Sequence, residues 1–257
     1  MERKVAVVTG GASGIGEASA RRLAKDGYTI AILDCDTERA RAVAADLPDA
    51  MAIQTDVADL SAVENAAGRI TEQFERVDVL LTSAGILQGI DTFTSMDVEA
   101  HDRLWRVNYH GTVHACRVFG QIMKRRRSGA IVTVGSINSF AALPLPAYCV
   151  SKTAILRLTE ILAVELGPYD IRVNGVAPTY VITPAMQSRI DAGERDPGRI
   201  RESGALNMLV YPKHIADVVA FLASDAARAV TGVMMPVDAG WTAATPYRSF
   251  VGGIPDL

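Results

Sequence analysis

Thr9-Gly10-Gly11-Ala12-Ser13-Gly14-Ile15-Gly16 lies between two opposite hydrophobic rhythms. Before it, Val5-Ala6-Val7-Val8 is a continuous apolar run of the kind a buried strand carries. After it, a helical pattern starts near Gly16 and runs through Ala18, Leu23 and Ala24. A glycine-rich turn from strand into helix has a physical use. Without a Cβ, the backbone can approach a pyrophosphate closely. The free N–H groups and the positive end of the helix dipole favour that anion. The spacing, Gly10-x3-Gly14-x-Gly16, differs from the usual dinucleotide fingerprint. A plain glycine connection looks the same locally, so the rest of the chain decides.

Outward from this turn, short apolar runs alternate with longer helical patterns. Strands are expected at 4–9, 28–33, 50–54, 78–82, 129–135, 171–176 and 233–237. Helices are expected at 15–26, 37–46, 60–75, 97–127 with a break, 147–167 and 213–223. Fully apolar strands separated by helices predict an α/β chain with a Rossmann-type, doubly wound parallel sheet of about seven strands, covered on both faces. A length of 257 residues suits one domain, 1–257. Two stretches depart from the rhythm. Residues 178–212 hold Pro178, Pro184, Pro197 and Pro212, with charges at 189–202, and read as a substrate lid. The tail 241–257 holds Pro246, Gly252, Gly253 and Pro255 without periodicity, and reads as an irregular strap or a frayed end.

Composition narrows the functional classes. With 49% hydrophobic and 21% charged residues, the chain reads as a soluble globular domain. A net charge of -3 gives no reason to expect a nucleic acid or an anionic membrane as partner. There is no signal-peptide pattern and no apolar run long enough to span a bilayer, so a cytoplasmic location is expected. The three cysteines, Cys35, Cys116 and Cys149, form no Cys-x2-Cys pair, which fits a reducing compartment. His110 and His114 are four apart, but no further ligand accompanies them, so no metal site is expected.

Asp34 ends the second strand, 18 residues after Gly16. A carboxylate there can accept hydrogen bonds from adenosine ribose hydroxyls and repel a 2′-phosphate. It could instead cap the helix starting near Thr37. Tyr148 and Lys152 are four apart and so share a helix face. A tyrosine of ordinary pKa, about 10, is a poor base at neutral pH. A neighbouring ammonium favours its phenolate, so a lowered tyrosine pKa is expected.

The glycine spacing, Asp34, Asp56-Val57, Ser83-Ala84-Gly85, Asn108, Ser136, Tyr148-x3-Lys152 and Arg172-Val173-Asn174 before Pro178 follow one another in the order of the classical short-chain dehydrogenase/reductase family. The chain resembles that family from Val5 to about Gly240. The resemblance implies a catalytic tetrad of Asn108, Ser136, Tyr148 and Lys152, with Tyr148 as acid–base, Ser136 on the substrate oxygen and Asn108 holding a water that links Lys152 to solvent. It implies cofactor contacts from Gly10, Ser13, Gly14, Ile15, Gly16, Asp34, Asp56, Val57, Ser83, Ala84, Gly85, Tyr148, Lys152, Val181 and Thr183. Asp56 would meet the adenine amino group, or only turn the chain toward the next helix. The family's two asparagines before Ala-Gly are Thr82-Ser83 here, so Ser83 or water must brace the sheet. At Ser13 and Cys35, NADP users of the family often carry Arg or Lys; neither is basic here, and with Asp34 this points to NAD.

The substrate pocket is expected from Ser136, Asn138, Tyr148, Tyr180, Met186 and Gln187. The apolar run 141–146 and the lack of an obvious anion clamp, Arg189 apart, favour a neutral secondary alcohol, polyol, sugar or cyclic ketone. Two other readings remain: a 3-oxoacyl-carrier-protein reductase using NADPH, which Asp34 opposes, and a non-catalytic dinucleotide sensor, which the retained Tyr148 and Lys152 oppose. The resemblance also implies a homotetramer paired through the long helices.

Overall fold

The computed structural model describes residues 3–90 and 92–252. Seven strands form one sheet: β1 (Val5–Thr9), β2 (Thr29–Asp34), β3 (Ala50–Gln54), β4 (Val79–Thr82), β5 (Gly129–Val134), β6 (Ile171–Pro178) and β7 (Met234–Val237). Their order is β3-β2-β1-β4-β5-β6-β7, and every neighbouring pair is parallel. Parallel neighbours need crossovers, which helices supply. These are α1 (Gly14–Lys25), α2 (Thr37–Ala45), α3 (Leu60–Phe74), α4 (Val98–Trp105), α5 (Gly111–Arg126), α6 (Pro146–Leu166), α7 (Pro184–Asp191), α8 (Pro197–Ser203), α9 (Pro212–Ala223) and α10 (Trp241–Arg248).

The pleat of β1 sends its side chains to both faces in turn. Ala6 and Val8 join Leu23 of α1 and Ile215, Val219 and Leu222 of α9. Val5 and Val7 join Ile70 of α3, Phe119 and Met123 of α5 and Ala163 of α6. Both faces are thus covered, which is why the strands are predominantly apolar. The strand order reverses between β1 and β4, where Thr9 pairs with Thr82. In such sheets a crevice opens beyond the carboxyl ends of the strands at this switch point.

Three elements differ from expectation. The break in the 97–127 helix is a π-helical segment, Arg106–His110, that joins α4 to α5 without an end. The lid is not featureless, since α7 and α8 lie within it. Each starts on a capping residue followed by proline: Thr183 accepts from Met186 N, and Asp196 accepts from Gly198 N and Arg199 N. A proline at the first helical position gives up no hydrogen bond. The tail, expected to be irregular, forms α10. Asp238 accepts from Gly240 N and Thr242 N at its start. At its end, Arg248 donates to the carbonyls of Glu202 and Ser203 in the last turn of α8 and of Gly204 just beyond it. The expected tail residues 253–257 lie outside the described residues. Among the described residues no helix is long and apolar enough to cross a membrane.

Candidate active site

The switch-point crevice is a cleft of about 1020 Å³. Its floor is the glycine turn. Gly10 and Gly14 have φ of +67° and +56°, a region that L side chains rarely enter. A Cβ on Gly10 would come within 2.6 Å of Ala84 Cα, so glycine lets the β1 turn touch the β4 turn. A Cβ on Gly16 would lie 2.0 Å from Gly10 O, so Gly16 seats α1 on the turn. Gly10, Ser13, Gly14 and Ile15 line the cleft, whereas Gly16 stands outside its lining. Ser13 is the N-cap of α1, yet its side chain caps nothing. The first N–H groups of α1 are therefore left for an anion.

Asp34 lies at the cleft wall with Cys35. Its carboxylate accepts from Ala12 N at 3.0 Å and from Asp36 N at 3.0 Å. The capping alternative fails, because Asp36 caps α2 by accepting from Arg39 N. Asp56 and Val57 line the cleft too, and Asp56 also turns the chain by accepting from Ala58 N. Ser83, Ala84 and Gly85 form the opposite wall. The bracing expected of Ser83 comes instead from β1: Thr9 O accepts from Ser83 N, and Thr9 Oγ1 accepts from Ala84 N. Arg103, Arg106 and Val107 extend the wall from the α4 side, where the sequence offered no motif.

Asn108 is fully buried in the π-helical segment. Its Oδ1 accepts from Ile86 N at 2.8 Å and its Nδ2 donates to Ile86 O at 3.0 Å. The amide thus pairs with the chain beyond β4 as a strand would. Gly85 permits this, for a Cβ there would lie 3.3 Å from Asn108 Oδ1. Its main-chain oxygen accepts from Thr112 Oγ1 at 2.8 Å.

Tyr148 and Lys152 reach the inner end of the cleft from α6. Lys152 is buried, and its Nζ donates to Val134 O at 2.8 Å. Burial lowers its pKa to about 8. Burial pushes the Tyr148 phenol up to about 12, and a hydrogen bond with Ser136 pulls it partly back. The shift runs opposite to the expected lowering: desolvation by burial dominates, and Lys152 Nζ, 5.5 Å from the tyrosine ring centre, is bonded to Val134 O. Ser136 is buried just after β5. Ser139, which carries no motif, locks it in place. Ser139 Oγ accepts from Ser136 N at 3.3 Å and donates to Lys152 O at 2.7 Å.

The expected substrate residues scatter more. Asn138 is buried behind Ser136, with its N–H bonded to Ser136 Oγ. Tyr180 and Met186 are half-buried and stand outside the cleft lining. Gln187 faces solvent and donates to Asp191 on its own helix. Of the lid, Thr183, Pro184 and Ala185 line the cleft, while Val181 is buried in a bridge to Val210. Arg189 is half-buried, and its Nη2 donates to Gln88 O at 3.5 Å. His114 Nδ1 donates to Val57 O, so it serves the cleft wall.

Sheet order, switch-point cleft and glycine turn together define an α/β protein of the Rossmann class. A family model described as enoyl-(acyl carrier protein) reductase matches residues 10–242. D-threitol dehydrogenase of Mycolicibacterium smegmatis is 34% identical, covering 94% of each chain. Meso-2,3-butanediol dehydrogenase of Serratia marcescens is 36% identical, covering 94% of this chain and 96% of that one. The solved structure of NAD+-bound xylitol dehydrogenase superposes with a TM-score of 0.87 at 29% identity, covering 92% of this chain and 98% of that one. The chain belongs to the classical short-chain dehydrogenase/reductase family.

Proposed function

We propose that this alcohol oxidoreductase acts with NAD on the secondary hydroxyl of a small neutral diol or polyol, and on the matching ketone. The observation that carries the reading is the placement of Tyr148 and Lys152, one helical turn apart, on a cleft that is also lined by the uncapped start of α1. The named substrates of the relatives, threitol, butanediol and xylitol, support the alcohol class. The residues fit a dinucleotide. Gly10, Gly14 and the free N–H groups of α1 suit its pyrophosphate, Asp34 its adenosine ribose, and Thr183 its carboxamide end.

When bound, the nicotinamide supplies the hydride acceptor for oxidation or the donor for reduction. The chain's own groups manage the proton. Tyr148 Oη donates a proton to the ketone oxygen in reduction; in oxidation it acts as the phenolate, accepting the substrate hydroxyl proton after its own has left. Ser136 holds the substrate oxygen against that hydroxyl. Lys152 carries charge beside the phenol and favours its ionised form. Asn108 acts as a positioning residue, holding the long helix against the chain beyond β4. Residues 178–212 serve as the lid that excludes water.

Cofactor choice tests Asp34. With any working alcohol, kcat/KM for NAD+ should exceed that for NADP+, through charge repulsion and the ribose bonds. Asp34→Ala combined with Cys35→Arg should move the preference toward NADP+. Equal use of both cofactors by the unaltered protein would remove the NAD assignment and reopen the NADPH-dependent acyl-carrier-protein reading.

The assembly proposed is a homotetramer. The α6 face carries exposed Val150, Ile161 and Val164, the last 78% exposed, and such a stripe is costly in water. Sedimentation should give a mass near four times 27.4 kDa. An active monomer would refute it.

A further inference from the structure

Helix α6 starts without a cap of its own. Its N-cap residue is Leu145, which has no side-chain acceptor, and its first residue is Pro146, which has no N–H. Leu145 N is bonded to Leu143 O, and Cys149 N already bonds Leu145 O within the helix. Only two donors of the first turn are then left over, Ala147 N and Tyr148 N. Both find the same partner. Gln88 Oε1 accepts from Ala147 N at 3.0 Å and from Tyr148 N at 2.9 Å. Gln88 lies in the loop after β4, 60 residues away in sequence. One remote amide thus closes the whole hydrogen-bond account of this helix start. The same residue is tied to the lid, since Arg189 of α7 donates to its main-chain oxygen.

We infer that Gln88 is a positioning residue for the reaction: by capping α6 it sets where the phenol of Tyr148 stands. This rests on the proposed catalytic role of Tyr148. The two ends of the catalytic pair are held independently. Lys152, four residues further on, is fixed by Val134 O and through Ser139. Tyr148 sits on the first turn, whose remaining donors depend on Gln88. Loss of the cap lets that turn fray while Lys152 stays in place. The phenol then drifts from Ser136 and from the substrate oxygen. A misplacement of about 1 Å in such a site can cost on the order of 10²-fold in rate.

The test compares Gln88→Leu, which removes the acceptor, with Gln88→Glu, which keeps an acceptor and adds a charge that a helix N-terminus favours. Ketone reduction by NADH is measured at a temperature where circular dichroism shows all variants folded, with Tyr148→Phe alongside. The expected result is a fall in kcat of about 10–100-fold for Gln88→Leu, with NADH affinity unchanged, and near-complete recovery in Gln88→Glu. Full kcat in Gln88→Leu while Tyr148→Phe is inactive would overturn the positioning role and leave the catalytic reading standing. Equal losses in the Leu and Glu variants would overturn it too, since the acceptor would not be what matters. Normal turnover in Tyr148→Phe would remove the catalytic reading itself, and the positioning role with it.

Discussion

Tyr148→Phe lowers kcat by about 10²–10⁴, the range expected when an acid–base group is removed. The substitution deletes one hydroxyl and leaves the ring, so NAD+ affinity should change little. Stopped-flow or steady-state turnover with cofactor titration checks both halves. Near-normal turnover would refute the role. The protonation states add a sign. Tyr148 keeps its proton up to about 12, so across neutral pH it stands ready as the acid for ketone reduction. Lys152 is charged below about 8 and loses that charge as the pH rises through that value. Reduction, followed as kcat/KM, should therefore be flat at neutral pH and fall above about 8. A profile that climbs through that range would contradict the pair's arrangement.

Gly16→Ala should cost more than about 3 kcal/mol, beyond the usual range for overpacking, and should abolish cofactor binding. The added Cβ would stand 2.0 Å from Gly10 O and 2.7 Å from Gly10 C. Both are backbone atoms of the turn, so no side chain can swing away. Either α1 lifts off the turn or the turn shifts, and each outcome spoils the pyrophosphate seat. Gly68 provides the control. It lies inside α3, where an added Cβ meets nothing within 4 Å. Gly68→Ala should leave stability unchanged or raise it by about 0.5–1 kcal/mol through helix propensity. Denaturant midpoints of the two variants decide the matter. A Gly16→Ala protein as stable as the parent would show that the turn is looser than its geometry implies.

What the sequence made legible follows from the physics of each element. All seven strands could be read because a parallel sheet covered on both faces selects mostly apolar runs, and interruptions such as Arg172 and Asn174 in β6 are few. The glycine turn and the Tyr148–Lys152 pair were readable because each depends on local spacing. The short helices α7 and α8 went unread although Thr183-Pro184 and Asp196-Pro197 carry a start signal, a cap followed by proline. Those prolines were weighed as breakers instead. The helix of the tail was hidden because its far end is secured from a distance, where Arg248 donates to carbonyls of residues 202–204. Gln88 left no trace at all, because it acts through one oxygen atom on a helix start 60 residues away and no spacing rule reaches that far. Ser139 acts locally, three residues from Ser136, in a short turn that stands out as no motif. The direction of the Tyr148 shift was misread for a related reason: spacing shows that a lysine is near, while the cost of desolvation appears only with burial.

The central claim is that this cleft moves a hydride between a secondary alcohol and NAD, with Tyr148 managing the proton. Isotope transfer tests it most directly. A diol bearing deuterium on its carbinol carbons is incubated with NAD+ and the protein, and the nicotinamide is analysed by mass spectrometry. Deuterium should appear in the reduced nicotinamide with the unaltered protein, and its appearance should slow by about 10²–10⁴ with Tyr148→Phe. Reduced cofactor without deuterium, or equal transfer by both proteins, would contradict the account.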